Sequence, residues 1–236
     1  MGLILRTAVL TDLGLRRTNN EDCAYAGSRL LAVADGMGGL PAGELASGLA
    51  IRVLAELDAE DHGEPAAALL AAFDTASAQV REAAGAEAGR DGMGTTVTAL
   101  LFHDDRVGLA HVGDSRAYLS RDGALSQLTR DDTFVQGLVD QGVLTAEAAR
   151  HHPHRSLVTQ AMQGQPLTPY SATLAVLPGD VYLLCSDGLS DVVTNDVIAR
   201  ILGSATDLDQ LGRELVAAAV EEGAPDNVTV VLAAVG

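Results

Sequence analysis

The chain alternates apolar runs with polar turns, and the runs divide into two kinds by length and spacing. Apolar runs of about four to eight residues, bounded by Gly, Pro, Asn or Asp, are typical of strands. We therefore expect a largely β-sheet core. The predicted strands cover about 3–12, 23–34, 95–103, 106–112, 116–120, 170–176, 181–185 and 228–235. The range 23–34 is predicted to be a pair of strands.

Other segments carry apolar residues at helical spacing, and these predict helices near 41–57, 65–85, 194–202 and 207–222. Residues 131–165 differ from their surroundings and suggest two short helices with loops, inserted over the surface; we call this segment the flap. Strands that cluster in runs, with helices in separate pairs, favour an antiparallel α+β layered fold over alternating βαβ units. Without a long linker or repeat, residues 1–236 are expected to form one domain.

Four aspartates are the most informative chemical feature of this pattern. We interpret Asp35, Asp114, Asp187 and Asp226 as each ending an apolar run beside a glycine or asparagine. The last residue of a buried strand lies at the rim of a sheet, so these carboxylates are expected to converge. Converging carboxylates repel one another, and a cation removes that repulsion. The sequence therefore predicts a metal site and metal-assisted chemistry on a phosphate.

The candidate ligands also indicate which metal is expected. All are oxygen donors, which suit Mg²⁺ or Mn²⁺ better than Zn²⁺. The backbone carbonyl of Gly36 is a further candidate donor. Arg17 offers a bidentate fork for a phosphate, and the neighbouring acids Glu21 and Asp22 are placed to act on metal-held water. Together these residues predict a two-metal phosphohydrolase centre.

Composition excludes several other functions. The chain has 236 residues, 47% of them apolar and 20% charged, which is typical of a globular protein. A net charge of −17 argues against nucleic-acid binding. The absence of lysine excludes a Walker A loop, the protein-kinase strand lysine and Schiff-base chemistry. Because the sequence shows neither an apolar stretch of membrane-spanning length nor a signal peptide, we expect a cytoplasmic protein without membrane partners.

Six motifs in order, RTNNED, ADGMGG, GMGTT, VGDSR, CSDGLSD and PDNVT, resemble those of the metal-dependent serine/threonine protein phosphatases of the PPM, or phosphatase 2C-like, family. The chain resembles a catalytic domain of the bacterial members. The resemblance runs from about residue 5 to the C-terminus. It implies a central β-sandwich of two antiparallel sheets flanked by helix pairs, in α/β/β/α layers. It also implies that the flap varies between members and influences substrate choice.

The resemblance further implies roles for individual residues at two metal sites. Asp35 is expected to bridge the two metals, and Gly36 to contribute its carbonyl. Asp187 and Asp226 would complete the first metal site, and Glu21 would act on the second through water.

Two further roles follow from the same resemblance. Arg17 corresponds to the arginine that binds the substrate phosphate. Asp114, with Asp187 and Asp191, corresponds to a third, weaker metal site, so two to three Mn²⁺ or Mg²⁺ ions are expected as cofactors. Met37 stands where many eukaryotic members carry a histidine proposed as general acid, which leaves the proton donor open. Asp132, at the start of the flap, stands where some relatives have histidine.

The expected function is hydrolysis of phosphoserine and phosphothreonine in proteins by direct attack of a metal-bridged hydroxide, opposing bacterial serine/threonine kinases. The partners would be phosphorylated proteins, including such a kinase, and the protein would be a monomer. Two alternatives stay open on the sequence. One is a metallohydrolase for small phosphoesters or pyrophosphate, and the other is a metal-binding pseudophosphatase that recognises phosphoproteins without hydrolysing them.

Overall fold

The strands of the computed structural model, which describes residues 4–37, 42–90 and 92–236, pair into two antiparallel sheets. The strands are β1 (Leu5–Asp12), β2 (Asp22–Ala26), β3 (Leu30–Met37), β4 (Gly94–Thr95), β5 (Val97–His103), β6 (Arg106–Val112), β7 (Arg116–Arg121), β8 (Ala124–Gln127), β9 (Tyr170–Ala175), β10 (Val181–Cys185) and β11 (Val228–Val235). Sheet A has the order β1-β11-β10-β7-β8. Sheet B has the order β2-β3-β5-β6-β9, with β4 paired to the end of β3.

Helices flank both sheets. They are α1 (Ala42–Ala55), α2 (Pro65–Ala86), α3 (Phe134–Asp140), α4 (Ala146–Arg150), α5 (Asp187–Ser190), α6 (Asn195–Leu202) and α7 (Leu208–Glu221). A single turn of 3-10 helix, Glu56–Ala59, follows α1. None of the described helices combines the length and apolar character of a bilayer-crossing segment.

The core consists of three apolar layers, which follow from the two-residue period of the strands. In β11, Val231 and Ala233 face sheet B, whereas Val230 and Leu232 pack under α6 and α7. On the far side, α1 and α2 cover the outer face of sheet B through side chains such as Phe73. The resulting α/β/β/α arrangement confirms the predicted fold class.

The two ends of the chain meet in sheet A, and this pairing organises the loop before β2. β1 pairs with β11 along its whole length, from Leu5 opposite Val235 to Asp12 opposite Val228. Asn227, just before β11, holds residues 13–21 by hydrogen bonds from its side chain. Its Nδ2 donates to the carbonyls of residues 13 and 19, at 3.0 and 2.9 Å, and its Oδ1 accepts from the backbone amide of Glu21 at 2.9 Å.

Three of the four aspartates differ from the sequence prediction in their local setting. Asp35 lies inside β3 and not at its end, because Gly36 and Met37 continue the strand by pairing with β4. Asp187 begins α5, a helix that the apolar pattern did not predict. Asp226 precedes β11 instead of ending an apolar run, because the apolar run begins after it.

The other predicted elements are observed to within a few residues of their predicted bounds. The helix predicted over 41–57 is observed as Ala42–Ala55, and Pro41 at its predicted start lies outside the described residues. The last two glycines of the ADGMGG motif, residues 38 and 39, also lie outside them. The flap contains two short helices as predicted, and each begins at a threonine, Thr133 or Thr145, whose side chain accepts a hydrogen bond from the first turn.

Candidate active site

A cleft of about 260 Å³ lies where β3, the β6–β7 turn, the start of α5 and the residue before β11 come together. All the predicted site residues except Asp22 and Asp191 line it, so residues far apart in the chain converge as expected. The lining residues are Arg17, Glu21, Asp35, Gly36, Met37, Thr96, Asp114, Ser156, Val158, Asp187 and Asp226.

Asp35 is held by its backbone, which leaves its carboxylate free to face the cleft. Its amide donates to Thr96 Oγ1 at 3.2 Å. Its carbonyl accepts from the Thr96 amide and from Thr95 Oγ1, both at 2.9 Å. The GMGTT motif therefore supports Asp35 directly, a role that the sequence alone did not predict.

Asp22 has a more central place in the site than the sequence predicted. It lies directly opposite Asp35 in the β2–β3 pair, and directly opposed residues of an antiparallel pair project to the same face. Its Oδ2 accepts from Ser186 Oγ at 2.7 Å, but its Oδ1 is buried without a hydrogen-bond partner among the described residues. Burial raises the pKa of Asp22 to about 6, and the charge of Asp226 adds to the rise.

Asp187, which follows β10 of sheet A, resembles Asp22 in the surroundings of its carboxylate. It is the first residue of α5, a helix of only four residues. Its Oδ1 is buried and has no partner among the described residues. Burial, and then the charges of Asp114 and Asp191, raise the pKa of Asp187 well above its usual range. The pKa of Asp35 is also raised, by burial and then by the charges of Asp22 and Asp187.

Among the described residues, Asp226 is the one aspartate lining the cleft that is paired with a cation. Its Oδ2 accepts from Arg17 Nη2 at 2.6 Å, and its Oδ1 accepts from the Asn227 amide at 2.8 Å. The hydrogen bond to Asp226 raises the pKa of Arg17, so this guanidinium stays charged. Its side chain is 45% exposed, so Arg17 stands at the mouth of the cleft, available to a second anion.

Glu21 and Gly36 meet at the base of the cleft through close backbone packing. The carbonyl of Glu21 accepts from the Gly36 amide at 3.1 Å and from Ser47 Oγ at 2.6 Å. A side chain at Gly36 would overlap the backbone of Gly43, near the start of α1. The glycine is therefore required by this approach of helix to strand, and its position brings Glu21 beside Asp35.

Asp114 and Asp191 line a second cavity next to the cleft. Asp114 is buried in the β6–β7 turn, and burial, followed by the charge of Asp131, raises its pKa to about 7. It lines both the cleft and a neighbouring cavity of about 400 Å³ beneath the flap. Asp191 lines only that cavity and forms an ion pair with Arg155, whose Nε lies 3.5 Å from Asp191 Oδ2.

Met37 lies at the cleft wall, and its sulfur accepts a weak hydrogen bond from Gln163 Nε2 at 3.5 Å. Among the described residues, no histidine lines the cleft. The same part of the chain contains no group of three His, Cys, Asp or Glu side chains compact enough to hold an ion by itself. A hard divalent ion such as Mg²⁺ is commonly held by one or two carboxylates together with several waters. The donors in this cleft fit that pattern.

The fold and the cleft define a class of protein in which two facing antiparallel sheets, flanked by helix pairs, carry a deep cluster of carboxylates beside an arginine. A family profile described as protein phosphatase 2C matches residues 18–232. The chain belongs to the protein phosphatase 2C family.

Individual relatives agree with this assignment. The chain is 50% identical over 235 residues to the serine/threonine protein phosphatase PstP of Mycobacterium tuberculosis, a match that covers 98% of this chain and 45% of PstP. It is 35% identical to protein phosphatase PhpP of Streptococcus pneumoniae, covering 97% of this chain and 96% of PhpP. The chain thus spans less than half the length of PstP.

The chain is also similar to a solved structure. The crystal structure of the catalytic domain of PstP, in complex with two manganese ions, aligns with a TM-score of 0.94 at 48% identity, covering 99% of each chain.

Proposed function

We propose that the protein is a Mn²⁺- or Mg²⁺-dependent phosphatase that hydrolyses phosphoserine and phosphothreonine in proteins. The observation that carries the proposal is the burial of carboxylate oxygens of Asp22 and Asp187 without partners, next to a third carboxylate, Asp35. Uncompensated buried charges are expensive, and a divalent cation would compensate them. Family membership and the manganese ions bound by PstP support the same conclusion.

The ligands that we assign follow from the donors around the cleft. Asp35 would be shared by the two ions, and Gly36 would contribute its carbonyl. Asp187 and Asp226 would complete the first site, and Glu21 would act on the second through water. Asp114, with Asp187 and Asp191, would hold a third ion. When bound, the ions lower the pKa of coordinated water and neutralise phosphate charge.

The protein's own residues bind and orient the substrate around that centre. Arg17 would donate its fork to the phosphate, in place of part of its present pairing with Asp226. Thr95 and Thr96 hold the backbone of Asp35, so its carboxylate needs little reorganisation during the reaction. Ser156 and Val158 bring the flap to the cleft, where they would contact the chain that carries the phosphate.

Further parts of the proposal concern organisation and partners. We take residues 1–236 as one catalytic domain, acting as a monomer, with residues 131–165 as its flap. Protein phosphorylation consumes ATP, so we assign the enzyme to the cytoplasm, where a serine/threonine kinase would produce its substrates. An autophosphorylated kinase would itself be a substrate.

The test is phosphate release from a phosphothreonine peptide after metal stripping, with Mn²⁺, Mg²⁺, Ca²⁺ or Zn²⁺ restored singly. Turnover with Mn²⁺ or Mg²⁺ is expected, together with a lower rate on p-nitrophenyl phosphate. Silence with every metal, in a protein that still binds Mn²⁺ and the phosphopeptide, would instead identify a phosphoprotein-binding module. Turnover confined to small phosphoesters would also contradict the proposal.

A further inference from the structure

Arg150, the last residue of α4, connects the flap directly to the loop that follows α5. Its Nη1 donates to the carbonyl of Ser190 at 3.2 Å, and its Nη2 donates to the carbonyls of Asp191 and Val193 at 3.3 and 3.5 Å. All three bonds are partly buried. Carbonyls at the C-terminal end of a helix lack intrahelical partners, and a guanidinium is well suited to bind several of them at once.

The loop held in this way belongs to the carboxylate centre. α5 is only four residues long, begins at Asp187 and is followed at once by Asp191. The Asp191 amide donates to the Asp187 carbonyl at 2.8 Å, and the Val193 amide donates to the Leu189 carbonyl at 2.8 Å. Arg150 therefore binds the far end of the same short turn whose first residue faces the cleft.

Little apolar packing supports this part of the flap. In the described residues of α3 and α4, only Val135 and Ala149 are buried. The 400 Å³ cavity separates these helices from Asp191 and Asn195 on the body of the protein. Polar contacts therefore carry much of the attachment here, and the Arg150 contacts are directed at the backbone that sets the position of Asp187.

We propose that Arg150 is a positioning residue that couples the flap to the metal-binding carboxylates. The proposal rests on the proposed function, because it assumes that Asp187 binds an ion. By holding the carbonyls after α5, Arg150 restricts the orientation of Asp187 and Asp191. Coupling of this kind is reciprocal, so metal binding in the cleft should also stabilise α4.

The test compares Arg150→Met and Arg150→Lys with the unaltered protein in two measurements. Lysine keeps the charge but cannot reproduce the planar fork to three carbonyls, so both variants should behave alike. Arg200→Met is the matched control, since Arg200 is exposed in the last turn of α6 and does not line the cavity. Amide hydrogen exchange of metal-free protein reports on the loop, and calorimetric titration with Mn²⁺ reports on the centre.

In both Arg150 variants, the amides of Asp191 and Val193 should exchange about tenfold faster, as expected for loss of hydrogen bonds to a charged group. Mn²⁺ binding should weaken by about three- to tenfold, within the range for residues that transmit coupling. Amides of β11 should be unchanged, which separates a local effect from general loss of stability. Mn²⁺ should slow exchange in α4 of the unaltered protein and have less effect in the variants.

Several results would overturn the inference. Unchanged exchange at 191–193 would show that Arg150 does not restrain the loop. Faster exchange with unchanged Mn²⁺ affinity would show a local contact without a positioning role. If Arg150→Met does not fold, as judged by circular dichroism, Arg150→Lys decides. Failure of the unaltered protein to bind Mn²⁺ would contradict the proposed function as well, and is distinguishable because it does not depend on Arg150.

Discussion

Replacing Asp35 with asparagine should have opposite effects on the metal-free and the Mn²⁺-loaded protein. Asp22 and Asp35 face each other across an antiparallel pair, in which opposed Cβ atoms are about 5 Å apart. At an effective dielectric constant of about 20, two unit charges at that separation repel by about 3 kcal/mol. Because the pKa values of both carboxyls are raised, partial protonation already relieves part of this repulsion at pH 7.

Removing the Asp35 charge should therefore stabilise the metal-free protein by about 1–2 kcal/mol. For a chain of this size, a change of 1 kcal/mol shifts the melting temperature by about 2–4 °C. The Asp35→Asn variant should thus melt about 2–8 °C above the unaltered protein in EDTA. In Mn²⁺ at about 100 times the dissociation constant, the unaltered protein should gain about 2.7 kcal/mol. The variant should lose most of that gain, so the order of stability reverses.

The assay is thermal denaturation in EDTA and in excess Mn²⁺, followed by phosphate release from a phosphothreonine peptide. Asp74→Asn is a matched control, because Asp74 is exposed on α2 and does not line the cleft. It should change neither melting curve nor turnover, whereas Asp35→Asn should reduce turnover to background. An Asp35→Asn protein that melts below the unaltered protein in EDTA, or keeps its full Mn²⁺ shift, would refute the reasoning.

Three further predictions concern other features of the cleft. Arg17→Lys should raise KM for a phosphopeptide about tenfold or more, because an ammonium cannot form the bidentate fork; an unchanged KM in steady-state kinetics would contradict this. Gly36→Ala should destabilise the protein by about 1–3 kcal/mol in denaturant titration, because the new methyl group overlaps backbone, and wild-type stability would contradict it. In EDTA, the melting temperature should fall as the pH rises from about 5 to 8. Burial raises the pKa of Asp22 to about 6 and that of Asp114 to about 7, so the native state keeps protons that the unfolded chain has released; a rising melting temperature would contradict this.

The sequence was sufficient to predict most of the helix and sheet layers of the fold. Runs such as residues 228–235 and 97–103 are mostly apolar, and the structure buries both faces of these strands between a helix layer and the other sheet. The amphipathic spacing of α6 and α7 likewise identified the helices that cover sheet A. These predictions depend only on local periodicity, which is why they succeeded.

The site was harder to predict where it depends on pairing between distant segments. That Asp22 faces Asp35 follows from the β2–β3 register, which an apolar pattern does not specify. The same limit applies to Asn227, whose role follows from the pairing of the first and last strands. α5 escaped prediction because four residues are too few to show a helical period. Asp191 directly follows α5 and lines the neighbouring cavity, not the cleft.

The most direct measurement is anomalous diffraction from crystals grown in Mn²⁺, recorded near the manganese absorption edge. If the cleft is a divalent-metal centre, strong anomalous peaks should lie among Asp35, Asp187 and Asp226, and the peak beside Asp187 should disappear in Asp187→Asn crystals grown in the same way. Well-diffracting crystals in saturating Mn²⁺ with no peak in the cleft would contradict the central claim that these carboxylates bind metal.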